Sequence, residues 1–72
     1  MSRIIETKDY GKVEIRNAMF DIDGTTLEEG IEIKGKEIGL IELYGWIDID
    51  ELSPNKVNEL INQKINEQTE RN

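Results

Sequence analysis

The sequence contains no cysteine and no histidine. Disulfide bonds are therefore excluded, and so are zinc sites built from these two residue types. A chain of 72 residues buries only about 60% of the surface that its unfolded form exposes, and small domains without disulfides or metals often depend on self-association. We therefore expect either an unusually well-packed core or a homo-oligomer.

The groups on which most enzymes depend are also scarce. Without histidine or cysteine, a serine has no common general base beside it, and Ser53 is better explained as a helix cap than as a nucleophile. No apolar run approaches the length of about 20 residues that spans a bilayer, and residues 1–6 lack the long apolar region of a secretion signal. We expect a cytoplasmic protein that is not an enzyme, has no cofactor or metal, and does not contact a membrane.

Acidic residues outnumber basic ones by 16 to 9, which gives a net charge of −7. Direct binding to nucleic acid is unfavourable for such a chain, because affinity for phosphates comes largely from Lys and Arg. Negative charge instead favours partners with a basic surface, although it also serves solubility alone. The residues that we expect to contact a basic partner are Asp21, Asp23, Glu28, Glu29, Asp48, Asp50 and Glu51.

The first half of the chain alternates apolar and polar residues, which predicts strands. Val13 and Ile15 alternate in one phase, whereas the apolar residues from Ala18 onward have the opposite parity. A bulge at residues 16–18 would bring both sets to the same face. We therefore predict a bulged strand there, followed by a turn, a short strand at residues 31–34 and a tight hairpin.

Residues 35–50 carry the densest run of large apolar side chains and are predicted to form the long strand around which the sheet is organised. Because strand side chains alternate between faces, this run is apolar on both: Ile38, Leu40, Tyr44 and Trp46 on one, and Ile41, Leu43, Ile47 and Ile49 on the other. One helix can cover only one face. We therefore predict an interface at Leu40, Tyr44 and Trp46; the alternative is that Trp46 fills one end of a curled sheet.

A helix begins after Ser53, a good N-cap, with Pro54 at its first position. The spacing of Val57, Leu60, Ile61 and Ile65 gives it one apolar stripe. We predict a single domain with a sheet over residues 2–50, a helix over residues 53–67 and a frayed tail over residues 68–72. The fold class is α+β, a small antiparallel sheet of about four strands with one C-terminal helix packed on one face.

Residues 20–26 read Phe-Asp-Ile-Asp-Gly-Thr-Thr and resemble the first motif of the haloacid-dehalogenase-like phosphohydrolases. The resemblance implies a nucleophile at Asp21, a general acid and base at Asp23, and Mg²⁺ between them. It covers these residues alone, and no downstream motif of that family can be placed. The preceding strand also alternates polar and apolar residues, whereas a parallel central strand is almost uniformly apolar. A polar turn between strands is the interpretation that we favour.

Three hypotheses of function follow. The first is a small acidic protein-binding module, such as a phage or mobile-element inhibitor of a host protein, since the Ile-, Glu-, Asn- and Lys-rich composition resembles that of many short phage proteins. The second is an oligomer that binds or sequesters a nucleotide-like ligand at its subunit junctions, with Arg3, Arg16 and the aromatic pair Tyr44 and Trp46 as anion and base contacts. The third is a structural assembly component.

Overall fold

The computed structural model describes the backbone of residues 2–70 and the side chains of residues 2–68. Its elements are β1 (Ser2–Thr7), β2 (Gly11–Asp21), β3 (Leu27–Gly35), β4 (Gly39–Tyr44) and α1 (Pro54–Glu70). The strands form one antiparallel sheet in the order β1-β2-β3-β4, so each strand pairs with its neighbour in sequence. The predicted α+β class, a four-stranded antiparallel sheet with a C-terminal helix, is confirmed.

The first and last hairpins of the sheet are built alike. Thr7 pairs with Gly11 and Gly35 pairs with Gly39, so each hairpin closes over three residues. Gly11 and Gly39 have φ angles of 69° and 68°, the left-handed conformation that follows the turn in three-residue hairpin loops. Residues 8–11 and 36–39 share the order lysine, acidic residue, apolar residue, glycine. The same local chemistry therefore starts and finishes the sheet.

One face of the sheet carries the core. The helix that covers it is capped as predicted, because the backbone N–H of Lys56 donates to Ser53 Oγ at 3.1 Å. Val57 and Ile61 of the predicted stripe are fully buried, which confirms the orientation of α1. The buried cluster consists of Ile5, Val13, Ile15, Ile31, Ile33, Ile41, Ile49, Leu52, Val57 and Ile61.

Residues 45–52 connect β4 to α1 and cross the core face of the sheet. At their start, the N–H of Gly45 donates to the carbonyl oxygen of Glu29 at 2.8 Å. Further along, the side-chain amide of Asn17 donates to the carbonyl oxygen of Ile47 at 3.3 Å. The segment thus passes from the outer strand over β2, and it buries Ile49 and Leu52 as it goes.

Arg3 on β1 holds the end of this connecting segment. Its Nη1 donates to the carbonyl oxygen of Ile49 at 2.6 Å and to that of Leu52 at 2.8 Å. The side chain lies on the core face, beside Ile5, because alternate residues of a strand share a face. Arg3 therefore fixes the chain just before α1 begins.

The described ladder between β2 and β3 contains no bulge, so the prediction at residues 16–18 is wrong. The register is unbroken, which leaves Phe20 on the face opposite the core. Phe20 is nevertheless only 8% exposed. Its ring lies against the backbone of Gly30, where a Cβ would come within 2.6 Å of it, and its centroid is 4.9 Å from that of the Tyr44 ring. A cross-strand glycine and a neighbouring aromatic bury Phe20 where it stands, so no change of phase is needed.

The predicted strand over residues 35–50 is shorter in the structure and lies at the edge of the sheet. It ends at Tyr44, after which Gly45, with a φ of 112°, redirects the chain. Within β4 the predicted alternation holds, since Ile41 is buried while Leu40 and Tyr44 are exposed. Ile38 does not follow it, because it lies in the turn and packs against the core. The central positions belong to β2 and β3.

Helix α1 continues to Glu70, past the end predicted at residue 67. Residues 66–70 include no glycine or proline that would end it. Residues 71 and 72 of the predicted tail lie outside the described residues. Across residues 2–70, no helical segment combines the length and the apolarity that crossing a membrane requires.

Replacing Arg3 tests whether the connecting segment depends on it. We expect Arg3→Met to lower the free energy of unfolding by about 2 kcal/mol, because hydrogen bonds from charged donors contribute about 1.5 to 3 kcal/mol. Arg16→Met is the matched control: its ion pair with Glu32 lies on the exposed face and should cost at most about 1 kcal/mol. Urea unfolding measures both, and equal losses would contradict the role given to Arg3.

Gly30 should tolerate no side chain. A Cβ there would lie 2.3 Å from the carbonyl oxygen of Leu43 and 2.6 Å from the Phe20 ring, and a backbone oxygen cannot easily move aside. We expect Gly30→Ala to destabilise the fold by about 3 kcal/mol. Gly35→Ala meets only side-chain carbons at 3.0 Å and should cost about 1 kcal/mol. Thermal unfolding of the two variants would refute this if their order were reversed.

Candidate functional site

The loop between β2 and β3 is held together by its own aspartates. The N–H of Gly24 donates to Asp21 Oδ1 at 2.6 Å. Asp23 Oδ1 accepts from the N–H groups of Thr25 at 3.0 Å and Thr26 at 2.7 Å, and from the Thr25 hydroxyl at 3.0 Å. The Thr26 hydroxyl donates to Asp23 Oδ2 at 3.2 Å. Both carboxylates therefore bind amides of the turn that they belong to.

These hydrogen bonds change the pKa of the Asp23 carboxyl. Hydrogen bonds from the backbone N–H groups of Thr25 and Thr26, and then from the Thr25 hydroxyl, lower the pKa of its carboxyl below the ordinary value. Amide donors stabilise the ionised form selectively. Asp23 is thus a turn-forming anion at neutral pH.

The resemblance to phosphohydrolases does not extend beyond the order of residues 20–26. The strand before the motif belongs to an antiparallel sheet, whereas that family places its first aspartate after a parallel central strand. Asp21 and Asp23 here close a hairpin loop between two paired strands. The favoured interpretation, a polar turn between strands, is confirmed.

The second Asp-Ile-Asp sequence also forms a turn. The N–H of Asp50 donates to Asp48 Oδ1 at 3.0 Å, and the N–H of Glu51 donates to the Asp48 carbonyl oxygen at 3.1 Å. This turn leads the connecting segment into α1. Among the residues that the structure describes, no three acidic side chains are grouped in a way that would hold a metal ion.

The two arginines considered as anion contacts do not come together. Arg3 lies on the core face and binds the carbonyl oxygens of the connecting segment. Arg16 lies on the opposite face, and its Nε donates to Glu32 Oε1 at 2.6 Å. The sheet separates the two guanidinium groups, so the Arg3 and Arg16 of one chain do not form a common anion site.

Strands β2 and β3 extend past both of their neighbours as a two-stranded arm over residues 19–29. β1 begins opposite Arg16, and β4 ends opposite Gly30. The connecting segment leaves β4 at the base of this arm, where Gly45 binds Glu29. We call the arm and residues 45–51 together the acidic end of the molecule.

The charged residues that belong to the acidic end are all acidic, and Arg3 of β1 is a cation that contacts its backbone, at Ile49. Residues 17–33 and 37–55 contain no lysine or arginine, and each segment contains five acidic residues. Six of the predicted acidic contacts are exposed and Glu28 is half-buried. All seven lie in this region: Asp21, Asp23, Glu28, Glu29, Asp48, Asp50 and Glu51. The fold therefore places four of these carboxylates on the arm and three on the connecting segment that starts at its base.

Exposed apolar side chains accompany this charge. Trp46 is 68% exposed and shares a shallow surface pocket with Met19, Glu29 and Gly30. Leu27 is exposed on the same face of the arm as Met19, one diagonal position away. Sequence reasoning missed Met19 because of the predicted bulge, and it missed Leu27 because the third strand was predicted at residues 31–34, whereas β3 begins at Leu27. An unbroken alternation through residues 13–21 would have found Met19.

The structure divides the three residues predicted as an interface. Trp46 belongs to the acidic end, beyond the turn at Gly45. Tyr44 lies on the opposite face of the sheet, against the ring of Phe20. Leu40 lies on that face too, four residues before Tyr44 in β4. Its neighbours in a surface pocket are Glu14, Arg16, Glu32 and Lys34. Trp46 is thus set apart from Leu40 and Tyr44, although all three are more than half exposed.

Searches against protein-family models, curated protein sequences and solved structures returned no significant match. The interpretation of these surfaces therefore depends on their geometry and charge.

The hydrogen bonds of Asp23 predict a pH-dependent stability. Because the folded-state pKa lies below the ordinary value, the ionised carboxylate stabilises the fold above about pH 4, and this contribution is lost as the pH falls through the folded-state pKa. We expect Asp23→Ala to melt at a lower temperature than the wild type at neutral pH, and the difference to shrink below about pH 3. Circular dichroism melts over a pH series measure this, and a gap that is constant with pH would contradict it.

Proposed function

We propose that this chain is a small, non-enzymatic protein-binding module of the cytoplasm, and that its acidic end holds a basic surface of a partner protein. One observation carries the proposal: the acidic end combines exposed apolar side chains with carboxylates. Protein interfaces typically place aromatic and apolar anchors at the centre and polar groups around them.

The anchors of this surface are Trp46, Met19 and Leu27, which are exposed and carry no structural duty that the described contacts reveal. Tryptophan is among the residues that contribute most to binding when they become buried at an interface. The surrounding carboxylates would attract a basic partner over a distance and align it, which raises the association rate more than the final affinity.

The non-enzymatic part of the proposal is supported by the loop contacts. The two aspartates that the sequence offers as catalytic groups bind backbone amides of their own turn. A carboxylate engaged in this way is a poor nucleophile, because the bonds that lower its pKa also stabilise it unreacted.

An inhibitor is the form of this function that fits the surface best. Carboxylates arrayed around an apolar patch would compete with nucleic acid for a basic cleft, or would cover another functional basic surface. This is how a phage or mobile-element protein would inactivate a host factor.

A matched pair of variants tests the proposal. The first combines Glu28→Gln, Glu29→Gln and Trp46→Ala at the acidic end. The control combines Glu37→Gln, Glu67→Gln and Ile4→Ala, which removes as much charge and an apolar side chain of similar exposure, 69% for Ile4 against 68% for Trp46. Each protein is immobilised, exposed to cell lysate at low and high salt, and its bound proteins are quantified by mass spectrometry.

We expect a basic protein to be retained by the wild type and the control and released by high salt, with binding to the first variant at least about tenfold weaker, a loss usual for truncating an interface anchor. A captured protein that binds both variants equally, or that resists salt, would contradict the proposal. Circular dichroism of both variants checks that their fold is retained.

A further inference from the structure

Strand β4 leaves one row of backbone groups without a strand partner. It is an outer strand of the sheet, and the N–H of Gly45 donates to the Glu29 carbonyl, inward toward β3. Residues that bond to the neighbouring strand alternate with residues that point away. The odd-numbered residues of β4 therefore bond to β3, and Leu40, Glu42 and Tyr44 direct their N–H and C=O groups outward.

The side chains of this outward row lie on the face opposite the core. Leu40 and Tyr44 are 56% and 58% exposed, and Glu42 stands between them. A strand with apolar residues at both ends of its free edge and no proline or lysine has little protection against pairing. Glu42 is the one charged residue of β4.

Glu42 also ends a row of charges that does not balance. Across the sheet, Arg16 pairs with Glu32, and Glu32 pairs with Glu42. Arg16 forms its ion pair with Glu32, and among the residues that the structure describes Glu42 has no ion pair or side-chain hydrogen bond. Like charges directly opposite one another in a sheet are destabilising. A cation on the outer side of Glu42 would complete the row as positive, negative, negative, positive.

We propose that β4 is a docking edge for an extended segment of a partner protein, which adds an antiparallel fifth strand with a basic residue opposite Glu42 and apolar residues opposite Leu40 and Tyr44. Strand addition of this kind draws affinity from the backbone and specificity from alternate side chains. The inference goes beyond the proposed function, because β4 is a second binding surface, separate from the acidic end.

A second copy of this chain fits the edge poorly. If two β4 strands paired about a two-fold axis with Leu40 opposite Tyr44, Glu42 would face the Glu42 of the other copy, and a Glu32 would stand behind each. Registers that keep the faces aligned differ by two residues. These place Glu42 opposite Leu40 or Tyr44, where its charge again has no partner. Antiparallel pairing of β4 with a second β4 therefore supplies no cation, and the occupant that we propose is a different chain that does.

Synthetic nine-residue peptides test this directly. One carries lysine at its centre and valine two residues to either side, and its counterpart carries glutamate at the centre. We expect the lysine peptide to bind the wild-type chain at least about tenfold more tightly than the glutamate peptide, since opposite and like charges across a strand pair differ by roughly 1 kcal/mol or more. Glu42→Lys should reverse the order. Dissociation constants come from NMR titration.

A second pair of peptides tests the role of the backbone. Methylating the amide nitrogen of the central lysine removes the N–H that would donate to the Glu42 carbonyl, and this should weaken binding at least about tenfold. Methylating the next residue, whose N–H points away from β4, is the control and should weaken it much less. The signals that shift on binding should be those of β4.

The inference would be overturned by no binding of the lysine peptide at about 1 mM, by an unchanged preference in Glu42→Lys, or by equal effects of the two methylations. None of these would affect the proposed function, which fails separately if the acidic end captures no basic protein. A helical basic peptide that binds as tightly as the extended one would also contradict strand addition.

Discussion

The guanidinium group of Arg3 is the charged contact that joins the second layer of the structure to the sheet. Among the residues that the structure describes, one helix and one connecting segment cover the core face. Arg3 binds two carbonyl oxygens of the connecting segment immediately before the helix. At the other end, Asn58 exchanges hydrogen bonds with Asp9 in the first hairpin turn. Because charged donors make the stronger bonds, we assign the larger share of this anchoring to Arg3.

A single covering layer explains why the molecule is unequal on its two sides. The covered face is mainly apolar, whereas the opposite face carries charged side chains on β2 and β3, with exposed Ile4 on one outer strand and exposed Leu40 and Tyr44 on the other. The arm and the outer edge of β4 are not covered by this layer. Small domains commonly use such uncovered regions for binding, and here each has its own chemistry, the arm with its carboxylates and β4 with its free backbone.

Local signals in the sequence predicted the fold class well. Ser53 and Pro54 located the start of the helix, and its apolar spacing gave the buried stripe. The errors concern positions where two distant residues act together. Phe20 suggested a bulge because its burial against Gly30 depends on strand pairing, which no local pattern reveals. For the same reason, the exposed carboxylates and Trp46 were predicted as contacts from the sequence, but their division between the arm and the connecting segment at its base was not.

The central claim is that β4 is an open edge in the free chain, and amide hydrogen exchange tests it most directly. The account predicts that the amide protons of Ile41 and Leu43, which bond to β3, exchange slowly, while those of Leu40, Glu42 and Tyr44 exchange at nearly the rate of an unprotected chain. Slow exchange at all five positions would contradict it, because the outward amide protons would then already be hydrogen-bonded.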